Sequence, residues 1–166
     1  MKRLIPVAVI VAVAVLILAT TGGASKNHKG AQPAAGGAAA PAPPAPKTAV
    51  QVCSTPLGKI LVDAKGRTLY LFEADKPNMS NCSGACLSIW PALTSHGNPK
   101  AAGGALAAKV GTISASGGAR QVTYNGHPLY YYAGDQKAGD TTGQGLNQFG
   151  AAWYVLAANG NKIDNG

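Results

Sequence analysis

Asp75 and Asp135 are the residues in this chain that most invite a chemical reading. Each closes the same frame, a tyrosine, any residue, an aromatic, any two residues and an aspartate: Tyr70, Phe72 and Asp75, then Tyr130, Tyr132 and Asp135 sixty residues later. Two carboxylates in matching settings are what acid–base hydrolysis needs, provided both reach one cleft. Aspartate just past a strand is also a common turn residue, accepting backbone N–H bonds from the loop that follows. The turn reading is preferred, because turn aspartates are common and paired catalytic carboxylates rare. A tryptophan follows each frame, Trp90 and Trp153. Exposed aromatics beside a carboxylate suit a sugar or protein surface; if they are covered, the same rings are core.

The three cysteines, Cys53, Cys82 and Cys86, offer a second chemistry. Outside the cytosol, neighbouring cysteines pair. One helical turn separates Cys82 from Cys86, with Gly84 between them to allow a tight loop. A Cys82–Cys86 bridge stapling the loop before Trp90 is therefore expected, leaving Cys53 as a buried thiol in the strand-like TAVQVCST. A bridge from Cys53 to either is the alternative. A Cys3His zinc set with His96 or His127 lacks the usual C-x2-C pair. Neither C-x-x-C nor C-x-x-C-H occurs, and G-x-S-x-G, H-E-x-x-H and the P-loop are absent. No cofactor is expected, and both histidines read as surface side chains.

The elements that must position these residues repeat with them. Val62, Gly66, Leu69, Tyr70 and Asp75 have identical counterparts at Val122, Gly126, Leu129, Tyr130 and Asp135. A constant offset of this kind marks one supersecondary unit used twice. The unit reads as a β-hairpin. KILVDAKGRTLYLF carries apolar residues on both sides of AKG, and QVTYNGHPLYYY has Asn125-Gly126, which suits a two-residue turn with positive φ at both positions. Within each strand Tyr70 and Phe72 share one face and Leu69 and Leu71 the other, so both faces are expected to be covered. The loop KPNMSNCSGACLSIWP should hold a helical turn or two, capped near Ser80 or Asn81 and stopped by Pro91. QKAGDTTGQGLNQFGAAW reads as an irregular loop, AAWYVLA as a strand, KVGTISA as another, and HGNPKAAGGALAA as a loop. VLAANGNKI resembles LVDAKGRTL, as if the chain ends part-way into a third hairpin. The expected fold is mainly β: two repeated hairpin units in one sandwich- or barrel-like domain of seven or eight strands, with one short helix near Cys82–Trp90.

The N-terminal third has a different texture. Lys2 and Arg3 precede the uncharged run LIPVAVIVAVAVLILA, and a small-residue stretch follows. This is the pattern of a secretory signal, with Gly22-x-Ala24 as a cleavage site. The run is also long enough for an uncleaved N-terminal anchor to be the alternative. Residues 1–24 are therefore read as leader or anchor. Residues 25–48, dominated by Ala, Pro and Gly, are read as a disordered tether. Residues 49–166 form the body. The formal charge of +8 owes much to the leader and tether: the body holds nine bases and six acids, a net +3 without a basic run. That argues against a nucleic-acid footprint.

TLYLFEADKPNMSNCSGACLSIWPAL and YNGHPLYYYAGDQKAGDTTGQGLNQFGAAWYVL resemble the bacterial secreted-repeat lipoproteins that carry the Yx(FWY)xxD motif. The resemblance implies an exported, envelope-associated protein, with Tyr70, Phe72, Asp75, Tyr130, Tyr132, Asp135, Cys82, Cys86 and Trp90 as motif residues, and it implies no particular activity. The chain departs from a lipoprotein in having TTGG, with no cysteine near residues 18–24 to acylate. The resulting expectation is a non-enzymatic binding or structural module whose partner is an envelope protein, a glycan or a small ligand. A redox or metal-handling protein using Cys82, Cys86, Cys53 and Met79 is the alternative. A hydrolase using Asp75 and Asp135 ranks third.

Overall fold

The computed structural model describes residues 48–115 and 118–164. The leader, and the tether apart from Thr48, lie outside the described residues. Among the described residues no helix is long and apolar enough to cross a membrane.

Ten short strands of the described residues form three small sheets, without barrel closure. In the first, β1 (Ala49–Thr55) pairs antiparallel with β2 (Gly58–Asp63) and parallel with β5 (Lys100–Ala101). In the second, β10 (Ala151–Val155) lies between β3 (Tyr70–Phe72) and β9 (Asn147–Gln148). In the third, β7 (Arg120–Tyr124) pairs with β4 (Thr94–Ser95), β6 (Val110–Ser114) and β8 (His127–Pro128). β5 and β9 lie within stretches that read as loops, which raises the strand count above the expected seven or eight.

The turns follow local chemistry. Asn125 and Gly126 have φ of 52° and 83°, the primed hairpin turn that the Asn-Gly pair favours. In the first repeat Asp63 organises the turn instead: its Oδ1 accepts the main-chain N–H of Lys65 and Arg67 at 2.8 and 3.0 Å, and Gly66 N–H donates to the Asp63 carbonyl. The chain end repeats that second pattern. Asp63 N–H to Arg67 O and Gly66 N–H to Asp63 O are matched by Ala157 N–H to Asn161 O and Gly160 N–H to Ala157 O. This is the third half-hairpin.

The helix α1 spans Ala85–Ile89, with Gly84 at its N-terminus and Trp90 at its C-terminus. It starts later than Ser80 or Asn81 because both are engaged elsewhere. Ser80 Oγ lies 2.7 Å from the Tyr130 hydroxyl, and Asn81 N–H donates to Asp75 Oδ1 at 2.6 Å. Cys82 and Cys86 are disulfide-bonded across the start of this helix, and both are buried. Cys53 is free and half-buried rather than fully covered, because it packs at the margin of the core that holds Trp90 and Trp153 rather than inside it.

The hairpin strands separate two cores. Tyr70, Phe72 and Tyr130 enter one, with Trp90, Trp153 and the disulfide. Leu69, Leu71 and Leu129 enter the other, with Val50, Val122 and Leu156. Period two thus does what the sequence requires, covering both faces of each motif strand.

Candidate functional site

The two frames meet at a local pseudo-two-fold axis. Tyr70 and Tyr130 form an antiparallel bridge, with N–H to O distances of 2.9 and 3.0 Å in the two directions. From that pair each side chain crosses to the other repeat. The Tyr70 hydroxyl donates to Asp135 Oδ2, and the Tyr130 hydroxyl to Asp75 Oδ2, both at 2.7 Å. The second oxygen of each carboxylate holds its own loop. Asp75 Oδ1 accepts from Asn81 N–H, and Asp135 Oδ1 accepts from Thr142 N–H and Oγ1 at 2.9 and 2.6 Å. Each aspartate therefore ties its following loop to the opposite hairpin.

The rings follow the same exchange. Phe72 stacks on Trp153 at 4.2 Å, Trp153 on Trp90 at 3.9 Å and 4°, and Trp90 against Tyr132 at 4.5 Å. The motif aromatic of each repeat thus covers the tryptophan of the other. Tyr70 meets Trp90 edge-on at 5.4 Å, and Tyr130 meets Trp153 edge-on at 5.2 Å. Such pairs each add about 0.5–1.5 kcal/mol beyond area burial. Gln148 satisfies both indoles, its Oε1 accepting from Trp90 Nε1 at 2.9 Å and its carbonyl from Trp153 Nε1 at 3.1 Å. Gly143 is buried between the rings; a Cβ there would lie 2.8 Å from Trp90 Cη2 and 3.0 Å from Tyr70 Cζ.

Tyr70, Phe72, Tyr130, Trp90 and Trp153 are all buried, and Tyr132 is half-buried. The rings read as a possible exposed platform are core. Among the described residues the two aspartates border separate cavities. Asp75 borders one cavity of about 370 Å³, with Leu71, Phe72, Glu73, His127 and Lys162. Asp135 borders another of about 370 Å³, with Arg67, Tyr131, Tyr132, Gln136 and Lys137. Arg67, Tyr131, Tyr132 and Asp135 in one stand at the positions of His127, Leu71, Phe72 and Asp75 in the other.

Burial dominates the electrostatics. It pushes Asp75 above the usual carboxylate range, against the pull of Asn81 N–H and the Tyr130 hydroxyl. It pushes Tyr70 and Tyr130 well above the ordinary phenol range, with the carboxylate each one donates to adding to the shift. His127 is half-buried rather than a plain surface residue, and burial lowers its pKa. Asp63 is the converse case. Burial opposes ionisation there, but the Arg67 and Lys65 amides, the Arg67 side chain and the Tyr131 hydroxyl outweigh it and lower its pKa. The Arg67 guanidinium binds Asp63 Oδ2 at 2.8 Å and lies 3.9 Å from the Tyr131 ring centre. Sequence reasoning missed this cluster and Gln148. The offset of sixty pairs Arg67 with His127 and Leu71 with Tyr131, and that mismatch was the available signal.

The model of a family described as a secreted repeat of unknown function, Lipoprotein_15, matches residues 51–94 and again residues 111–157. The chain belongs to this family. Each match carries one frame, and the second ends just beyond Trp153. The search of curated proteins and that of solved structures each returned no match. As a secreted-repeat protein it is exported, and its two repeats are the two halves that exchange side chains here.

Proposed function

We propose that this secreted-repeat protein is a non-enzymatic module of the cell envelope, with its ligand contacts in the Tyr132 cleft and its motif aspartates in a structural role. One observation carries the reading. Both motif aspartates already accept bonds at both oxygens, from a tyrosine hydroxyl and from their own loops, which is a structural use of the carboxylate. A general acid or base needs an oxygen open to substrate.

The Tyr132 cleft is the better of the two matched cavities for a polar ligand. Its apolar walls are Pro91, Tyr131 and Tyr132, and Arg67, Gln136 and Lys137 supply donors around them. Apolar walls with a few convergent polar groups suit a saccharide segment. The metal-handling alternative loses two of its three thiols to the Cys82–Cys86 disulfide. Calorimetric titration of the full chain with soluble envelope oligosaccharides tests the proposal. Saturable binding that Lys137→Ala and Gln136→Ala weaken several-fold, with the thermal midpoint unchanged, supports it. Binding indifferent to both variants removes the cleft from consideration, and turnover of the oligosaccharide removes the non-enzymatic reading.

A further inference from the structure

Five rings in unbroken contact are more than two hairpins need to bury a core, and their chemistry has a direction. Tyr132, half-buried at the cleft, touches Trp90; Trp90 stacks on Trp153; and Tyr70 and Tyr130 abut the two indoles edge-on. Each of these two phenols ends on a carboxylate 2.7 Å away. We propose that this pile is a one-electron relay that reduces diffusible radical oxidants reaching the exported protein, with Tyr70 and Tyr130 as the terminal donors.

The step balances as follows. An oxidant radical takes one electron from the pile and leaves as its closed-shell anion. The resulting hole rests on the Trp90–Trp153 pair, whose parallel stacking at 3.9 Å spreads the charge over two indoles. An electron then passes from the Tyr70 ring to Trp90, or from the Tyr130 ring to Trp153, restoring neutral tryptophan. The phenolic proton moves along the existing hydrogen bond, from Tyr70 to Asp135 Oδ2 or from Tyr130 to Asp75 Oδ2. The products are a neutral tyrosyl radical and a protonated aspartate, so no net charge is created in the buried pile. That matters because an uncompensated charge there is costly. A buried phenol without an acceptor could not release its proton, and oxidation would stop at the indoles. Phe72 can conduct no further, which gives the relay a single open end at Tyr132.

The test is pulse radiolysis of the full chain with azide radical, a tryptophan-selective one-electron oxidant. The expected result is first-order decay of the indolyl radical, independent of protein concentration, with a matching rise of tyrosyl radical that is several-fold slower in D2O. Tyr70→Phe/Tyr130→Phe together should lower the tyrosyl yield several-fold, whereas Tyr154→Phe, whose ring lies under Lys162 outside the pile, should not. If the double variant does not fold, the concentration and D2O dependence of the unaltered protein decide the matter. Second-order decay of the indolyl radical, no tyrosyl rise, or a yield that Tyr154→Phe lowers instead would each overturn the relay.

Discussion

Replacing Tyr70 by Phe removes one oxygen and leaves the ring that packs on Trp90. The lost group is a donor to the Asp135 carboxylate at 2.7 Å, in a site where Tyr70 is fully buried. Hydrogen bonds to charged groups contribute about 1.5–3 kcal/mol, so the variant should lose about 2 kcal/mol, or roughly 8 °C in thermal midpoint for a domain of this size. The sharper measurement is a pair of double-mutant cycles by urea denaturation. Tyr70→Phe combined with Asp135→Ala should show a coupling of at least about 1 kcal/mol, because the two residues share one bond. Tyr70→Phe combined with Asp75→Ala, within the same frame, should add to within about 0.5 kcal/mol. The reverse order, strong coupling within a frame and additivity across frames, would refute the exchanged pairing.

Two further outcomes follow from the same geometry. Gly143→Ala places a methyl within 2.8 Å of Trp90 and 3.0 Å of Tyr70, and both rings are fully buried; overpacking of this kind costs about 1–3 kcal/mol, read as a lower urea midpoint with an unchanged slope. Stability against pH should have two opposed limbs. The raised pKa of Asp75 contributes stability that is complete below an unfolded carboxylate value of about 4 and is lost as pH rises through the folded value; the lowered pKa of Asp63 contributes stability present above about 4 and lost as pH falls through its folded value. A thermal-midpoint series should therefore lose its gentle rise toward mild acid in Asp75→Asn and its acid-side fall in Asp63→Asn.

Much of this fold is legible in local sequence, because the signals are backbone signals. Asn125-Gly126 dictates a turn that only residues tolerant of positive φ can make, and the alternation around Tyr70 and Tyr130 dictates two covered faces. The identity of the partner is not a local property. Strand period places Tyr70 on a face without saying whose aspartate it meets, so the exchange between repeats and the aromatic pile emerge only from the pairing of Tyr70 with Tyr130. The β9–β10 hairpin was hidden for a different reason. Its turn is Phe149-Gly150, with φ of 58° and 91°, and a bulky residue in the left-handed region contradicts local preference. The late start of α1 reflects competition for Ser80 and Asn81, whose side chains bond the Tyr130 hydroxyl and the Ala74 carbonyl instead.

The crossed tyrosine–aspartate bonds join residues 65 and 55 positions apart. A chain is synthesised N-terminus first, and its leading hairpin then has neither the phenol that completes Asp75 nor the indole that covers Phe72. Its closure waits for the trailing hairpin. Non-local contacts of this kind slow folding, because the loop entropy is lost before the contacts compensate it. The exchange that locks the finished protein thus also leaves the first repeat unlocked until the second is present.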